Sequence, residues 1–363
     1  MEKNIELMII GGFLGAGKTT TILSVARELM REGRKIGIIT NDQGSDLVDT
    51  NFLLSSGLSV FEVTGSCFCC NFDGFASRIK AMAENERPDV ILAEPVGSCT
   101  DLIATIFKPI QIKHFADLSL KPFTVVADPK KLRKMLMEIN NYPPEINYLY
   151  RKQLEEADVI ALNKIDNFSQ DEIDESVDFI KNEFPGAEVI TISAKENINV
   201  RSLIGRLSEI GVSRGETLSI DYDKYAAAEG YLGWLNCSAK ITSGSAIDLN
   251  GFIMQYMKDV KDKLSAGKYE VANFKIYGVS SDDWCKAGMV SLSDCPEFGK
   301  KAERPSDEWS IIINIRAQTD PGSLKKIIEN TFKENVAEEK LQASCYSIEA
   351  FKPGRPNPTY RYK

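Results

Sequence analysis

The chain has 363 residues, of which 43% are hydrophobic and 26% are charged, and its formal net charge is −8. This length and composition are typical of a globular protein with two domains. An acidic chain without a run of Lys or Arg offers no electrostatic footprint for nucleic acid or an anionic membrane, so we expect neither as a partner. No stretch approaches the roughly 20 apolar residues of a membrane span, and the N-terminal residues have the pattern of a strand rather than of a signal peptide. We therefore expect a cytoplasmic protein.

Short runs of β-branched residues alternate with amphipathic stretches through the first part of the chain. The runs that predict buried strands are residues 5–10, 35–40, 58–64, 89–94, 123–128, 158–163 and 188–193. Between them, apolar residues recur at three- and four-residue spacing, as amphipathic helices require. Strict alternation of strand and helix predicts an α/β fold with a mostly parallel, doubly wound sheet, in which functional residues collect at the carboxyl ends of the strands.

The first predicted strand is followed by GGFLGAGKTT, in which residues 12–19 fit the GxxxxGK[ST] pattern of a phosphate-binding loop. Such a loop turns its backbone N–H groups toward phosphate oxygens at a helix N-terminus. Lys18 is placed to reach the β- and γ-phosphates, and the Thr19 hydroxyl is placed to bind Mg²⁺. The residues predicted to contact the nucleotide here are Gly12, Gly15, Ala16, Gly17, Lys18, Thr19 and Thr20.

Two later strand ends predict which base is bound. Residues 163–166 read NKID, and the carboxylate of Asp166 in this NKxD pattern can accept from both the ring N–H and the amino N–H of guanine, a pair that adenine lacks. At the next strand end residues 193–195 read SAK, the place from which GTPases usually donate a backbone N–H to the guanine oxygen. With GTP and GDP as ligands, the predicted base-binding residues are Asn163, Lys164, Asp166, Ser193, Ala194 and Lys195.

Carboxylates at two further strand ends are expected near the γ-phosphate. The loop after the second strand offers Asp42, Asp46 and Asp49, of which Asp42 is favoured because it lies closest to the strand end. Glu94 ends the fourth strand, and Gly97 follows in the sequence EPVG. A carboxylate here can hold Mg²⁺ or orient the attacking water, and glycine lets a backbone N–H approach the γ-phosphate. The predicted catalytic set is Lys18, Asp42, Glu94 and Gly97.

Three cysteines, Cys67, Cys69 and Cys70, fall within four positions after the third predicted strand, in a chain with one histidine. Thiolates are soft ligands suited to Zn²⁺, Cu⁺, Co²⁺ or an iron–sulfur cluster, and a helix N-terminus close by lowers thiol pKa values. The three leave a coordination position that Cys99, Asp42 or water can fill. Burial as small apolar side chains, or a redox pair, is the alternative interpretation.

The second half of the chain has a different pattern. Residues 213–230 have weak periodicity and are interpreted as a linker that follows a domain at 1–212. Residues 231–352 predict the βαββαβ order of a ferredoxin-like α+β domain, in which Asp320 and Pro321 make a good start for the second helix. Residues 353–363 form a proline-rich, basic tail.

Taken in order, the motifs GGFLGAGKTT, CxCC, ExxG and NKxD resemble those of the CobW-like family of P-loop GTPases, relatives of UreG, HypB and MeaB. The resemblance covers roughly residues 5–210. It implies a metallochaperone that binds Zn²⁺ or Co²⁺ at Cys67, Cys69 and Cys70, hydrolyses GTP, and couples delivery of the metal to the nucleotide state.

The expected partners are GTP and a client protein that depends on a metal or a corrinoid, and a GTP-dependent homodimer is a further expectation. Two alternatives stay open. One is a GTPase chaperone that activates or loads a cobalamin-dependent enzyme. The other is a thiol redox protein with vestigial nucleotide binding.

Overall fold

The computed structural model describes residues 4–41, 48–113, 118–137, 143–208 and 217–363. The chain forms two compact units. The first consists of Met1–Gln43, Gly57–Ala228 and Arg355–Lys363, and the second consists of Gly44–Ser56 and Glu229–Gly354. No helix in the described part of the chain is long and apolar enough to cross a lipid bilayer.

The first unit is built on a parallel sheet. Its strands are β1 (Ile5–Gly11), β2 (Ile36–Asn41), β3 (Ser59–Val63), β4 (Val90–Glu94), β5 (Leu118–Leu120), β6 (Thr124–Ala127), β7 (Val159–Leu162) and β8 (Glu188–Thr191). Their order is β3-β2-β4-β1-β6-β7-β8, β5 pairs with β1, and every pairing is parallel. Every residue of β2, β4, β6 and β7 is buried, as parallel strands covered by helices on both faces require. The doubly wound α/β fold predicted from the sequence is confirmed.

Helices connect these strands and continue through the chain. They are α1 (Lys18–Arg31), α2 (Val48–Ser55), α3 (Phe72–Asn85), α4 (Lys108–Ile112), α5 (Pro129–Leu132), α6 (Pro144–Glu155), α7 (Gln170–Glu183), α8 (Val200–Ser208), α9 (Tyr222–Gly230), α10 (Leu249–Ala266) and α11 (Pro321–Glu338). Ile103–Phe107 and Arg133–Met137 are π-helical turns, and Ile165–Asn167 is a 3-10 turn. Local capping explains several starts: Ser169 and Glu172 form a capping box on α7, and the side chain of Asp320 accepts from the Ser323 N–H at the start of α11.

Helix α9 lies in the stretch 213–230, whose weak periodicity is interpreted from the sequence as a linker. Its buried side chains include Tyr225 and Ala228, three residues apart. The Tyr225 hydroxyl accepts from the Thr100 N–H at 3.3 Å. A helix with so few apolar positions gives little periodic signal, and contacts with distant residues stabilise it.

The second unit is built on an antiparallel sheet. Its strands are β9 (Gly233–Ile247), β10 (Val271–Val279), β11 (Trp284–Met289), β12 (Glu297–Lys300), β13 (Ser306–Ala317) and β14 (Gln342–Phe351). Their order is β12-β11-β10-β13-β9-β14. Without β11 and β12, the chain order is βαββαβ and the sheet order β14-β9-β13-β10 is that of a ferredoxin-like domain. The added pair β11–β12 extends the sheet beyond β10, and side chains from α10 and α11 join those of the strands in one apolar core.

Candidate functional site

The phosphate-binding loop lies between β1 and the N-terminus of α1. Gly12, Gly15 and Gly17 have positive φ angles of 133°, 74° and 100°. A Cβ at Gly12 would lie 2.3 Å from the carbonyl oxygen of Val126, and a Cβ at Gly17 would lie 2.4 Å from Nδ2 of Asn163. Only glycine fits these two positions, because the backbone is left-handed and closely approached there.

Lys18 and Thr19 begin α1, and both are buried. The Lys18 ammonium donates to the carbonyl oxygen of Phe13 at 3.4 Å, and Thr19 Oγ1 donates to Glu94 Oε1 at 3.0 Å. Gly97 adjoins the same place, since a Cβ added to it would lie 2.9 Å from Nζ of Lys18. The structure thus brings four predicted residues together at one helix N-terminus, where the oxygens of Thr19 and Glu94 suit Mg²⁺.

The residues predicted to hold the base meet at the ends of β7 and β8. Asn163 joins them to the phosphate-binding loop: its Nδ2 donates to the Ala16 carbonyl at 3.0 Å, and its Oδ1 accepts from the Ala194 N–H at 3.0 Å. Lys164 is left-handed, with φ of 68°, and its Nζ donates to the Gly15 carbonyl at 2.7 Å. The NKID and SAK motifs and the phosphate-binding loop therefore form one connected structure.

Exposure distinguishes the remaining predicted residues of this site. Asp166 and Lys195 lie at the surface, where a bound base could contact them. Ser193 is fully buried, and its Oγ accepts from the Glu196 N–H at 3.1 Å, which shapes the turn after β8. Thr20, in the first turn of α1, is half-buried.

Asp128 and Lys131 lie beside the phosphate-binding loop and match none of the sequence motifs. Asp128 follows β6, accepts from the Lys131 N–H at 3.2 Å, and pairs with Lys164 at 2.6 Å. Burial alone would raise the pKa of Asp128, but the charges of Lys164 and Lys131 hold it below its usual value. The Lys131 ammonium donates to the Leu14 carbonyl. The one feature of the sequence that indicates a role for Asp128 at this site is its position at the carboxyl end of a predicted strand.

The three aspartates that follow β2 in the sequence differ in where the structure places them. Asp42, predicted as a catalytic residue and metal ligand, and Asp46 lie outside the described residues. Asp49 lies on α2 in the second unit, where its carboxylate pairs with Lys275 at 2.5 Å and with Lys286 at 3.1 Å. Burial opposes ionisation, but the two lysines lower the pKa of Asp49 well below its usual value. Asp49 is thus part of a structural ion pair, and its interpretation as a nucleotide-site candidate is wrong.

The cysteine loop leaves β3 and runs into α3. The Sγ atoms of Cys67, Cys69 and Cys99 all lie within 4.8 Å of one another, and those of Cys67 and Cys69 are 2.9 Å apart. These three thiols are buried, whereas Cys70 is half-buried, with its Sγ 3.9 Å from that of Cys69. Four free thiols therefore gather in one place. Three come from the contiguous motif and one from the loop after β4.

Asn41, the last residue of β2, positions the cysteine loop. Its Nδ2 donates to the carbonyls of Val63 and Ser66, both at 2.8 Å, and its Oδ1 accepts from the Phe68 N–H at 2.8 Å. The Phe68 ring stacks on Phe75 of α3, with ring centroids 4.1 Å apart. Asn41 matches no metal-binding pattern, so its role is visible only in the folded chain.

The thiols of the cluster have pKa values that are shifted in opposite directions. Hydrogen bonds from Cys69, Cys70 and Cys99 lower the pKa of Cys67 well below the usual thiol value. The hydrogen bond between Cys69 and Cys67 in turn raises the pKa of Cys69. The hydrogen bond between Cys70 and Cys67 raises the pKa of Cys70 to about 11. A thiol whose pKa is lowered by its neighbours supplies a thiolate ligand more readily, so this cluster suits a soft cation.

Cys99 belongs to the short loop that begins at Gly97, beside Lys18. The carbonyls of Gly97 and Cys99 both accept from the side-chain amide of Gln153, at 3.0 and 2.9 Å. Gln153 is buried on α6. One buried amide therefore fixes a loop that contacts the phosphate-binding lysine at one end and contributes a thiol to the cysteine cluster at the other.

Curated relatives resemble part of the chain. The zinc chaperone CobW of Sinorhizobium sp is 33% identical over an alignment of 186 residues that covers 46% of this chain and 52% of the relative. The zinc chaperone YeiR of Escherichia coli is 29% identical over an alignment of 166 residues that covers 44% of this chain and 46% of the relative. The chain thus spans about half the length of these curated relatives.

Among solved structures, HypB from Helicobacter pylori in complex with nickel is similar with a TM-score of 0.40 and 17% identity, over 56% of this chain and 85% of that chain. The family model described as "CobW/HypB/UreG, nucleotide-binding domain" matches residues 6–191, just over half of the chain. With the phosphate-binding loop, the NKID and SAK motifs and the cysteine loop all inside or bordering this range, the chain belongs to the CobW/HypB/UreG family.

Proposed function

We propose that the protein is a GTP-hydrolysing zinc chaperone, in which the cysteine cluster holds the cargo metal and the nucleotide state sets how firmly it is held. The observation that carries this proposal is the loop from Gly97 to Cys99. It adjoins Lys18 of the phosphate-binding loop and supplies a buried thiol to the cluster. The curated relatives named above are zinc chaperones, which favours zinc over cobalt as the cargo.

GTP would be held in the connected structure described above. Its phosphates would lie against the glycine loop and the N-terminus of α1, with Lys18 balancing their charge. Asp166 would distinguish guanine from adenine, because its carboxylate can accept from the two N–H donors on one edge of guanine. Thr19 and Glu94 would hold Mg²⁺, which supplies charge neutralisation at the β- and γ-phosphate oxygens. Hydrolysis to GDP and phosphate would then remove the γ-phosphate, which Gly97 is predicted to adjoin.

The cargo metal would be held by thiolates. Cys67, Cys69 and Cys99 already surround one point, and Cys70 is the nearest further thiol. Four thiolates complete the tetrahedral set that Zn²⁺ prefers, whereas three leave a position open for exchange. Asp42 and water stay alternative predictions for that position.

Coupling between the two sites would pass through the loop. A change in the Gly97 contacts on loss of the γ-phosphate would displace Cys99, because both carbonyls bond the same Gln153 amide. Coupling free energies of this kind are typically about 1–3 kcal/mol, which corresponds to roughly 5- to 150-fold in affinity. Zinc affinity is therefore expected to differ by this range between the GDP-bound protein and the protein bound to a non-hydrolysable GTP analogue.

The test is a zinc competition titration against a chromophoric chelator, with each nucleotide. Wild-type protein is expected to bind zinc stoichiometrically and to show the nucleotide difference. Cys99→Ser is expected to abolish the difference, and Cys237→Ser, which alters a buried thiol of the second unit, is expected to retain it. Wild-type protein without bound zinc would favour the redox alternative. Equal zinc affinity with both nucleotides would contradict the coupling.

The partners of such a chaperone are GTP, the cargo metal and an acceptor protein that takes the metal. A GTP-dependent homodimer, a corrinoid-dependent client and a cytoplasmic location stay predictions from the sequence. Sedimentation of the protein with GDP and with the GTP analogue tests the first of these, since only the analogue is expected to produce the dimer.

A further inference from the structure

The C-terminal segment Arg355–Lys363, here called the strap, belongs to the first unit and lies against the cysteine loop. The Thr359 N–H donates to the Cys69 carbonyl at 2.9 Å, and Thr359 Oγ1 donates to the Cys70 carbonyl at 3.0 Å. The Asn357 N–H donates to Sγ of Cys70 at 3.2 Å. The strap therefore bonds the backbone of the cysteine motif and one of its thiols directly.

A forked ion pair anchors the strap. Arg361 Nε donates to Oδ2 of Asp101 at 2.7 Å, and Nη2 of the same guanidinium lies 3.4 Å from Oδ1. Asp101 is buried, has a left-handed φ of 65°, and accepts a further hydrogen bond from the Tyr222 hydroxyl at 2.7 Å. Forked, charge-assisted hydrogen bonds to a buried carboxylate are strong and directional, so this contact holds the strap in one register.

Aromatic contacts and a backbone hydrogen bond extend the anchorage along the strap. The ring of Tyr360 packs edge-on against Phe72 at 5.4 Å, and the Lys113 ammonium lies 3.5 Å from the Tyr360 ring centroid. The Tyr362 N–H donates to the Ala104 carbonyl at 3.0 Å. The strap is thus bound by several independent contacts in addition to those with the cysteine loop.

We propose that the strap gates the cysteine site: docked, it partly covers Cys70 and slows metal exchange, and released, it opens that thiol fully to an acceptor. The inference rests on the proposed zinc-chaperone function. It concerns how easily an incoming ligand can reach the thiols. A metal passes between proteins by ligand substitution, so an incoming ligand must reach the cluster. Cys67, Cys69 and Cys99 are buried, which leaves half-buried Cys70, the thiol that the strap contacts, as the point of entry.

The first test compares two full-length variants that each remove one positive charge from the strap. Arg361→Ala removes the anchor, and Lys363→Ala alters an exposed residue of the same segment. Zinc-loaded protein is mixed with a chromophoric chelator, and release is followed by absorbance. Release is expected to accelerate about tenfold to a hundredfold in Arg361→Ala, the range for loss of hydrogen bonds to a charged group, and to stay at the wild-type rate in Lys363→Ala.

Arg361→Ala leaves Asp101 buried without its guanidinium, which can destabilise the fold. The double variant Asp101→Asn with Arg361→Ala avoids this, because asparagine tolerates the left-handed backbone and carries no charge. It is expected to release zinc as fast as the single variant. A wild-type release rate in the double variant, with guanine nucleotide binding intact, would overturn the gate.

A second readout needs no metal. Alkylation of the metal-free protein, mapped by mass spectrometry, is expected to modify Cys70 faster in Arg361→Ala than in Lys363→Ala. Faster alkylation of Cys70 in Arg361→Ala supports the proposal that the strap limits access to this thiol. This holds even if wild-type protein retains no zinc, a result that would contradict the chaperone function alone. Equal alkylation of Cys70 in all variants, with zinc bound normally by wild-type protein, overturns the gate and leaves the chaperone function in place.

Discussion

The phosphate-binding loop and the cysteine loop belong to the same unit, yet they are held in opposite ways. The phosphate-binding loop is one contiguous segment, and its shape follows from the positive φ angles of Gly12, Gly15 and Gly17. The cysteine loop takes its shape from side chains and backbone groups that lie far away in the chain, among them Asn41 and the strap. One site is therefore built into its own motif, and the other depends on its surroundings.

This difference determines how each site can fail. A single added methyl group within the motif is expected to disable the phosphate-binding loop. The cysteine site can instead be weakened by residues that bind no metal, because its thiols keep their positions only while their neighbours do. The loop that carries Gly97, Cys99 and Asp101 connects the two sites. Measuring both GTP affinity and zinc affinity in each variant therefore shows which of the two sites a substitution alters.

The largest effect is expected for Gly17→Ala. The new Cβ would lie 2.4 Å from Nδ2 of Asn163 in a left-handed backbone, so the loop must distort and the link to the base site must break. Affinity for a fluorescent GTP analogue is expected to fall by on the order of 100-fold, since strain and clash together cost about 3 kcal/mol.

Gly33→Ala is the matched control for this variant. Gly33 also has a positive φ, of 81°, but a Cβ there meets nothing within 4 Å. It is expected to lose about 1 kcal/mol of stability and no GTP affinity. Equal loss of GTP affinity in the two variants would mean that the loss follows from general destabilisation of the fold and not from the contact with Asn163.

The next effect concerns a buried carboxyl group on the cysteine side. Glu156 accepts from Thr100 Oγ1 at 3.0 Å, and burial together with the nearby charge of Asp101 raises its pKa from about 4.5 to about 8. The folded protein then holds a proton that the unfolded chain releases. The free energy of unfolding is therefore expected to fall as the pH rises from about 4.5 to about 8 and to level off above that range.

Glu156→Gln removes this proton linkage while keeping the size of the side chain. It is expected to raise the free energy of unfolding at pH 9 by on the order of a few kcal/mol, and to change it little at pH 4. Urea denaturation at the two pH values measures both quantities. A gain of the same size at both pH values would mean that the pKa of Glu156 is the same in the folded and unfolded protein.

The same contrast between local and distant determinants explains what the sequence could predict. The strands of the parallel sheet are short β-branched runs, and the phosphate-binding loop is one contiguous motif, so both are visible in a single stretch of chain. The ferredoxin-like order of the second unit follows in the same way. Strands β5, β11 and β12 are not predicted from the sequence. Strands β5 and β12 have only three and four residues, and the exposed positions of β12 alternate with half-buried ones, whereas β11 has six residues in which half-buried and buried positions alternate.

The residues that complete the sites are visible only in the folded chain. Asn41 is an ordinary strand-end residue until its hydrogen bonds to Ser66 and Phe68 are seen. The tail is polar and rich in proline, and nothing in its composition indicates that it contacts residues almost 290 positions earlier, as Asn357 and Thr359 do. Contacts of this separation leave no periodic pattern, since neither partner constrains the type of its sequence neighbours.

The smallest effect, and the one that separates the two sites most directly, is expected for Asn41→Ala. The substitution leaves the carbonyls of Val63 and Ser66 without the donor that Asn41 provides, and it leaves the Phe68 N–H without that acceptor. The cysteine loop then has more freedom while every thiol remains. Positioning residues of this kind typically contribute about 10- to 100-fold to metal affinity, and the lower value is expected here because Phe68 still packs against Phe75.

Asn273→Ala is the control, since Asn273 is an equally buried asparagine, 7% exposed like Asn41, in the second unit. Zinc competition titrations on both variants, with Cys70 alkylation alongside, are expected to show weaker zinc binding and faster alkylation for Asn41→Ala alone. Equal zinc affinity in the two variants would mean that the cysteine loop keeps its shape by itself, as the phosphate-binding loop does.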